Sequence, residues 1–272
     1  MLLALAQTNP RLGEIAQNLE NITAIINDAR LREPQLVVFP EAALTGYVFR
    51  SKEEALKLLP GDLASEAIGT VSGSCGDSLV LLGLIEKEGG ELFNSALLIS
   101  SQGLLARYRK SHLPHLGVDR FVTPGSDPPP VVETPFARLG IFICYEMRFP
   151  EVTRVMALRG ADIVCNITNW PLGAEASPDF ISRTRAVENM VFLASCNRCG
   201  TERGTGFIGR SQVVSPGGLI VAEAGSGEEV LYASIDVTEA RNKSIINKPG
   251  EYELHIFRDR KPRLYGALTE ED

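Results

Sequence analysis

Histidine is scarce in this sequence: the 272 residues hold three, His112, His115 and His255. None sits in a recognisable setting with an orienting asparagine or aspartate, so a nucleophile here would lack the usual imidazole base. Cysteine is limited to five residues, an odd number at irregular spacing. That argues against a disulfide framework and fits a reducing compartment. Cys196 and Cys199 form a Cys-x-x-Cys pair, but no second such pair and no histidine cluster supplies the remaining ligands of a zinc site. The preceding Phe192-Leu-Ala-Ser-Cys196 reads as a strand running into a loop, not the helix start that favours redox chemistry. The pair is expected to be structural.

Long apolar runs are also missing. None approaches the roughly 18 residues of a membrane span. The opening Met-Leu-Leu-Ala-Leu-Ala meets Gln7-Thr8-Asn9-Pro10 without the basic residues of a signal peptide. A cytoplasmic protein with no membrane partner is expected. Positive charge is in deficit, with 27 Lys and Arg against 34 Asp and Glu and a net charge of −7. No electrostatic footprint for nucleic acid results, and the acidic Glu270-Glu271-Asp272 reads as a solvated tail.

What is present reads as one α/β domain over residues 1–272, with residues 236–272 as a C-terminal extension. Leu2 to Gln7 is a compact apolar strand, and Ile15, Leu19, Ile22, Ile26 and Ala29 mark an amphipathic helix over 14–31. Further strands are expected at 35–39, 78–85, 92–100, 104–109, 140–144, 162–167 and 191–195, with helices at 63–71, 149–159 and 178–190. Segments 209–214, 219–223 and 230–235 read as a β meander. Alternating strands and helices followed by hairpins imply mixed sheets. Residues 111–130 form a long loop punctuated by Pro and Gly, a length usually reserved for function or disorder.

Three polar residues stand where buried strands are expected to end: Glu41 after Val37-Val-Phe-Pro40, Lys110 after 104–109, and Cys144 after Gly140-Ile-Phe-Ile143. Each is costly to bury alone, and strand ends can bring them to one sheet edge where they compensate one another. Together they replace a Cys–His pair: the carboxylate takes the thiol proton, and the ammonium favours thiolate and oxyanion. Taken singly, Glu41 reads as a loop or cap residue, Lys110 as part of a solvated basic cluster with Arg107 and Arg109, and Cys144 as core packing.

Phe39-Pro-Glu41-Ala-Ala-Leu-Thr-Gly-Tyr47, Tyr108-Arg-Lys110-Ser-His-Leu113 and Cys144-Tyr-Glu-Met-Arg-Phe-Pro-Glu151 resemble the three signature motifs of the nitrilase superfamily of carbon–nitrogen hydrolases. Arg185 to Asn189, Cys196 to Gly200 and Gly209 to Pro216 match later blocks in order, so the resemblance covers most of the chain. It implies a four-layer α-β-β-α sandwich with Glu41 as base, Lys110 as oxyanion cation and Cys144 as nucleophile. It further implies a homodimer or higher homo-oligomer onto whose partner subunit the C-terminal extension reaches, and no metal or other cofactor. In the family mechanism Cys144 attacks an amide carbonyl, ammonia or an amine leaves, and water activated by Glu41 hydrolyses the thioester. The backbone N–H of Tyr145 adds to the oxyanion site in the family pattern.

One departure concerns a further glutamate that family members usually carry ahead of a Pro-Gly. Here the only nearby carboxylate before Pro124-Gly125 is Asp119. Either Asp119 takes the glutamate's place, or it pairs with Arg120 or Arg109 at the surface. Trp170, the only tryptophan, either walls the pocket or packs in the core, and Glu146 with Arg148 is expected to brace the nucleophile turn as an ion pair. The leading reading is an amidase releasing ammonia from a small carboxamide. An N-carbamoyl amine hydrolase or a nitrilase uses the same framework. A non-catalytic binding or scaffold protein, and a thiol-redox protein built on Cys196 and Cys199, stand further off.

Overall fold

Strict alternation organises the first strand, β1 (Leu2–Gln7): Leu3 and Leu5 face one apolar cluster while Ala4 and Ala6 face another, and all four are fully buried. A strand buried on both faces needs layers on each side. One layer is helical. In α1 (Ile15–Ala29), Ile15, Leu19, Ile22 and Ile26 recur at helical spacing on the buried face. The other layer is a second sheet. A computed structural model describes residues 1–270.

The first sheet has six strands, with β14 (Glu229–Ser234) at one edge, in the order β14-β1-β2-β3-β4-β5. Here β2 is Leu36–Val38, β3 Leu79–Glu88, β4 Glu91–Ser100 and β5 Gly103–Arg109. Helix α2 (Lys52–Leu58) follows β2, and α3 (Leu63–Cys75) packs with α1 over the outer face of this sheet. The second sheet starts with β6 (Val131–Glu133), β7 (Arg138–Ile143), β8 (Ile163–Thr168) and β9 (Phe192–Asn197). A two-residue ladder, β10 (Thr201–Glu202) with β11 (Thr205–Gly206), precedes its last members, β12 (Gln212–Val214) and β13 (Ile220–Glu223). Its order is β13-β12-β9-β8-β7-β6, and both sheets mix parallel and antiparallel pairs. Helices α4 (Pro150–Leu158) and α5 (Ser182–Asn189) cover its outer face. The result is the expected α-β-β-α sandwich with mixed sheets.

The expected meander is corrected at its third strand. β14 (Glu229–Ser234) leaves the second sheet and pairs antiparallel with β1 across the sandwich, Leu2 opposite Ser234 and Gln7 opposite Glu229. Its alternation satisfied either sheet, and only the open edge of β1 decides. The helix expected over 178–190 starts as a π-turn at Ser177–Ile181 before becoming α5.

The C-terminal extension crosses a short helix, α6 (Thr238–Arg241), to a hairpin of β15 (Ile245–Lys248) and β16 (Tyr252–Leu254). Ile246 and Tyr252 in this hairpin are exposed, while Phe257, beyond it, packs against the buried core beside Arg154 of α4.

Candidate active site

β2 and β5 run in the same direction within the first sheet, and their C-terminal ends deliver Glu41 and Lys110. The C-terminal end of β7 delivers Cys144 from the second sheet. Lys110 Nζ lies 2.7 Å from Glu41 Oε1 and 2.5 Å from Asp119 Oδ2, with all three side chains out of solvent. Asp119 is therefore not a surface partner of Arg120 or Arg109. It is the second anion on the Lys110 ammonium.

The loop after β5 makes this possible. A 3₁₀ turn at Gly117–Arg120 folds Asp119 back under Lys110. Asn94 on β4 then bridges the two carboxylates, donating to Glu41 Oε1 at 2.7 Å and Asp119 Oδ1 at 2.8 Å. The Tyr47 hydroxyl donates to Asp119 Oδ2 at 2.8 Å. Both oxygens of Asp119 and Oε1 of Glu41 thus have partners, while Glu41 Oε2 is buried and has none among the described residues. A buried carboxylate oxygen without a donor is expensive unless a ligand or water meets it.

Cys144 occupies a strained turn. Its φ is +51°, a left-handed conformation that costs a residue with a Cβ on the order of 1 kcal/mol. Asn166 Oδ1 on β8 holds the Cys144 backbone N–H at 2.8 Å. Glu146 holds the rest: one oxygen accepts from Ile143 N at 2.8 Å, and the other gathers Tyr108 OH, Ser111 N, Ser111 Oγ and His112 Nδ1. Glu146 does brace the turn that carries Cys144, but the expected ion pair with Arg148 is corrected. Arg148 is exposed and makes no ion pair among the described residues, because the loop beginning at Ser111 supplies donors directly to the buried carboxylate. Glu146→Ala leaves those donors unanswered; a loss of about 2–4 kcal/mol is expected in urea unfolding, with slower labelling of Cys144.

The electrostatics follow from burial and charge. Burial, then the Glu41 carboxylate, pushes the Cys144 thiol up to about 12, opposed by Lys110, the Thr168 hydroxyl and the Asn169 backbone N–H. Burial pushes Lys110 down, but the Asp119 and Glu41 carboxylates outweigh it and hold the ammonium well above the ordinary lysine range. Burial raises Glu41, reinforced by Asp119 and opposed by Lys110 and Asn94. The resting site is a neutral thiol, a fixed cation and a carboxylate biased toward taking a proton. Both polar side-chain atoms of the fully buried Asn169 have no partner among the described residues.

Tyr145 is exposed and stands edge-on to Phe149 at 5.2 Å, and Phe149 stacks on His112 at 4.3 Å. Trp170 is 3% exposed and belongs to the same buried cluster as Cys144, its backbone N–H held by Asn197 Oδ1. Cys196 and Cys199 are buried free thiols, the Cys196 sulfur lying 3.1 Å from the Val38 carbonyl oxygen. Asn94, Tyr47 and Asn166 were not singled out in the sequence. The signal for the two asparagines was present: each interrupts an apolar strand buried on both faces.

Residues 2–243 match the family model described as Carbon-nitrogen hydrolase. The chain belongs to this family. A nitrilase of Pyrococcus abyssi is 34% identical over 97% of the chain and 98% of its own length. An omega-amidase of Homo sapiens is 28% identical over 93% and 92%. A variant of the amidase from Nesterenkonia sp. AN1, solved after Michael addition of acrylamide at its active site cysteine, superposes with a TM-score of 0.85. It is 27% identical over 98% of this chain and 99% of its own. The carbon–nitrogen hydrolase is thus an enzyme of amidase or nitrilase type with the fold those relatives share. Among the described residues no helix is long and apolar enough to cross a membrane, and no His, Cys, Asp and Glu cluster is placed to hold a metal ion.

Proposed function

We propose that this hydrolase cleaves a small carboxamide through a thioester on Cys144, releasing ammonia and a carboxylic acid. The observation that carries the reading is Glu41, one oxygen of which is fixed on Lys110 while the other is buried and free. That free oxygen takes the thiol proton as Cys144 Sγ bonds to the carbonyl carbon. The Lys110 ammonium and the Tyr145 backbone N–H meet the oxyanion. As the C–N bond breaks, Glu41 returns the proton to the leaving nitrogen. Water then attacks the thioester, giving its proton to Glu41, and the C–S bond breaks to regenerate the thiol.

A carboxamide also suits the unpartnered groups. Its N–H donates to Glu41 Oε2, whereas a nitrile has no donor. Asp119 holds Lys110 in place, and Trp170 walls the acyl side from the end of β8. The enzyme works in the cytoplasm as a homodimer, for which the five free thiols and the exposed apolar hairpin of β15 and β16 are the support. Ammonia release from matched panels of carboxamides, N-carbamoyl amines and nitriles tests the substrate class. Carboxamides are expected to give the highest kcat/KM, with an acyl adduct on Cys144 in acid-quenched samples. Turnover of nitriles alone would sink the reading.

A further inference from the structure

Behind the reacting groups lies a second buried polar cluster, centred on Arg198 and Glu202. Arg198 is fully buried, and its Nη1 lies 2.9 Å from Glu202 Oε1. Its Nη2 reaches Asn9 Oδ1 at 3.1 Å and the Pro10 carbonyl at 3.2 Å, and its guanidinium lies 4.2 Å over the Phe207 ring. The other Glu202 oxygen accepts two consecutive backbone N–H groups, those of Tyr47 and Val48. Gly46 permits this approach: its φ is +74°, and a Cβ there would stand 2.9 Å from Glu202 Oε1 and 2.6 Å from Leu12 Cα.

Tyr47 is held from its far side as well. Its carbonyl accepts from Val118 N at 2.9 Å, and its ring fills the space a Cβ on Gly117 would occupy, 2.3 Å from Tyr47 Cε1. The hydroxyl ends on Asp119. A continuous set of contacts therefore runs from Arg198 through Glu202, Tyr47 and Asp119 to Lys110 Nζ.

We propose that the Arg198–Glu202 ion pair is a positioning device for the Lys110 cation, acting through Tyr47 and Asp119. Stability alone is a poor reason for such a pair, since well-packed apolar residues often replace a buried ion pair without loss. What apolar residues cannot supply is an acceptor for the Tyr47 and Val48 N–H groups. Losing it frees the Tyr47 turn, loosens Asp119 and lets Lys110 drift from the thiol. Neither Arg198 nor Glu202 touches the reacting atoms.

The inference rests on Cys144 as nucleophile, so the test reads the thiol without needing turnover. Cys144 labelling by iodoacetamide is followed across pH in the wild type, in Tyr47→Phe, in the double variant Arg198→Met/Glu202→Leu, and in the triple variant. The double variant is expected to fold, with a labelling profile displaced upward by about one pH unit, a tenfold loss of rate at fixed pH. Its kcat for ammonia release should fall in step while KM stays near wild type. Tyr47→Phe should displace the profile the same way. The triple variant should be no worse than the more affected parent, because residues acting through one another do not add. A folded double variant with the wild-type profile, or effects that multiply in the triple, overturns the proposal. Should the double variant not fold, Arg198→Lys replaces it, keeping the charge but not the reach to Asn9 and Pro10. An undisplaced profile there, or in Tyr47→Phe, is equally fatal. Wild-type protein that iodoacetamide leaves unlabelled at Cys144 overturns the nucleophile reading and this inference with it.

Discussion

Lys110→Met is expected to lower kcat for amide hydrolysis by about a thousandfold or more and to destabilise the fold in a pH-dependent way. Lys110 is the cation between two carboxylates that are, like it, out of solvent. Breaking a buried pair from one side typically costs about 3–5 kcal/mol. Here it leaves Glu41 and Asp119 facing each other with Asn94 and Tyr47 as their remaining donors. Two like charges without a cation drive one carboxyl to keep its proton, so in the variant a folded-state pKa rises well above its unfolded value near 4. A raised folded pKa gives stability that is fully present below the unfolded value and is lost as pH rises through the folded one. The stability gap between variant and wild type should therefore narrow from pH 8 to pH 5 in urea melts. An equal gap at both pH values would mean that the carboxylates do not meet as described.

Glu41, Lys110 and Cys144, the residues proposed to react, could be picked out in the sequence because each follows a strand and lies in a motif that resembles the family's. The strand before Lys110 is nonetheless an edge strand whose Leu104 and Leu105 are exposed. The partners of these three could not be picked out. Asn94 reads as one polar residue in β4 until the antiparallel register sets the Lys110 N–H on the Asn94 carbonyl, at 2.8 Å. Asp119 reads equally well as a surface residue, since the 3₁₀ turn that buries it depends on Tyr47, 72 positions away. Arg148 was paired with Glu146 on sequence proximity, whereas the carboxylate's donors come from the loop beginning at Ser111, 35 positions earlier. Local signals could have found one more element: Ser51 caps α2 by accepting from Glu54 N, and a Ser-x-x-Glu spacing announces such a start. Mixed sheets were accessible through the order of strands and helices, whereas the two-sheet sandwich came from the family resemblance. The sheet that receives β14 was not accessible at all, because a strand's pattern does not name its neighbour.

Glu41→Gln should move turnover and thiol reactivity in opposite directions. The wild-type thiol is pushed up to about 12, and the second cause, after burial, is the Glu41 carboxylate itself. Removing that charge while keeping its shape leaves the Lys110 ammonium beside the sulfur with one fewer anion opposing it. The apparent pKa of Cys144 labelling by iodoacetamide should fall, and labelling at neutral pH should become faster. Hydrolysis needs more than a thiolate. In the proposed mechanism the proton must reach the leaving nitrogen, and a water must then be deprotonated to open the thioester, both at the free Glu41 oxygen. A glutamine can do neither, so kcat/KM for carboxamides should fall by about a thousandfold. Wild-type kcat/KM should also decline at acid pH with an apparent pKa above the usual glutamate value, because burial and Asp119 raise Glu41, and this limb should vanish in the variant. If labelling and turnover fall together, Glu41 serves to hold Lys110 and the base lies elsewhere.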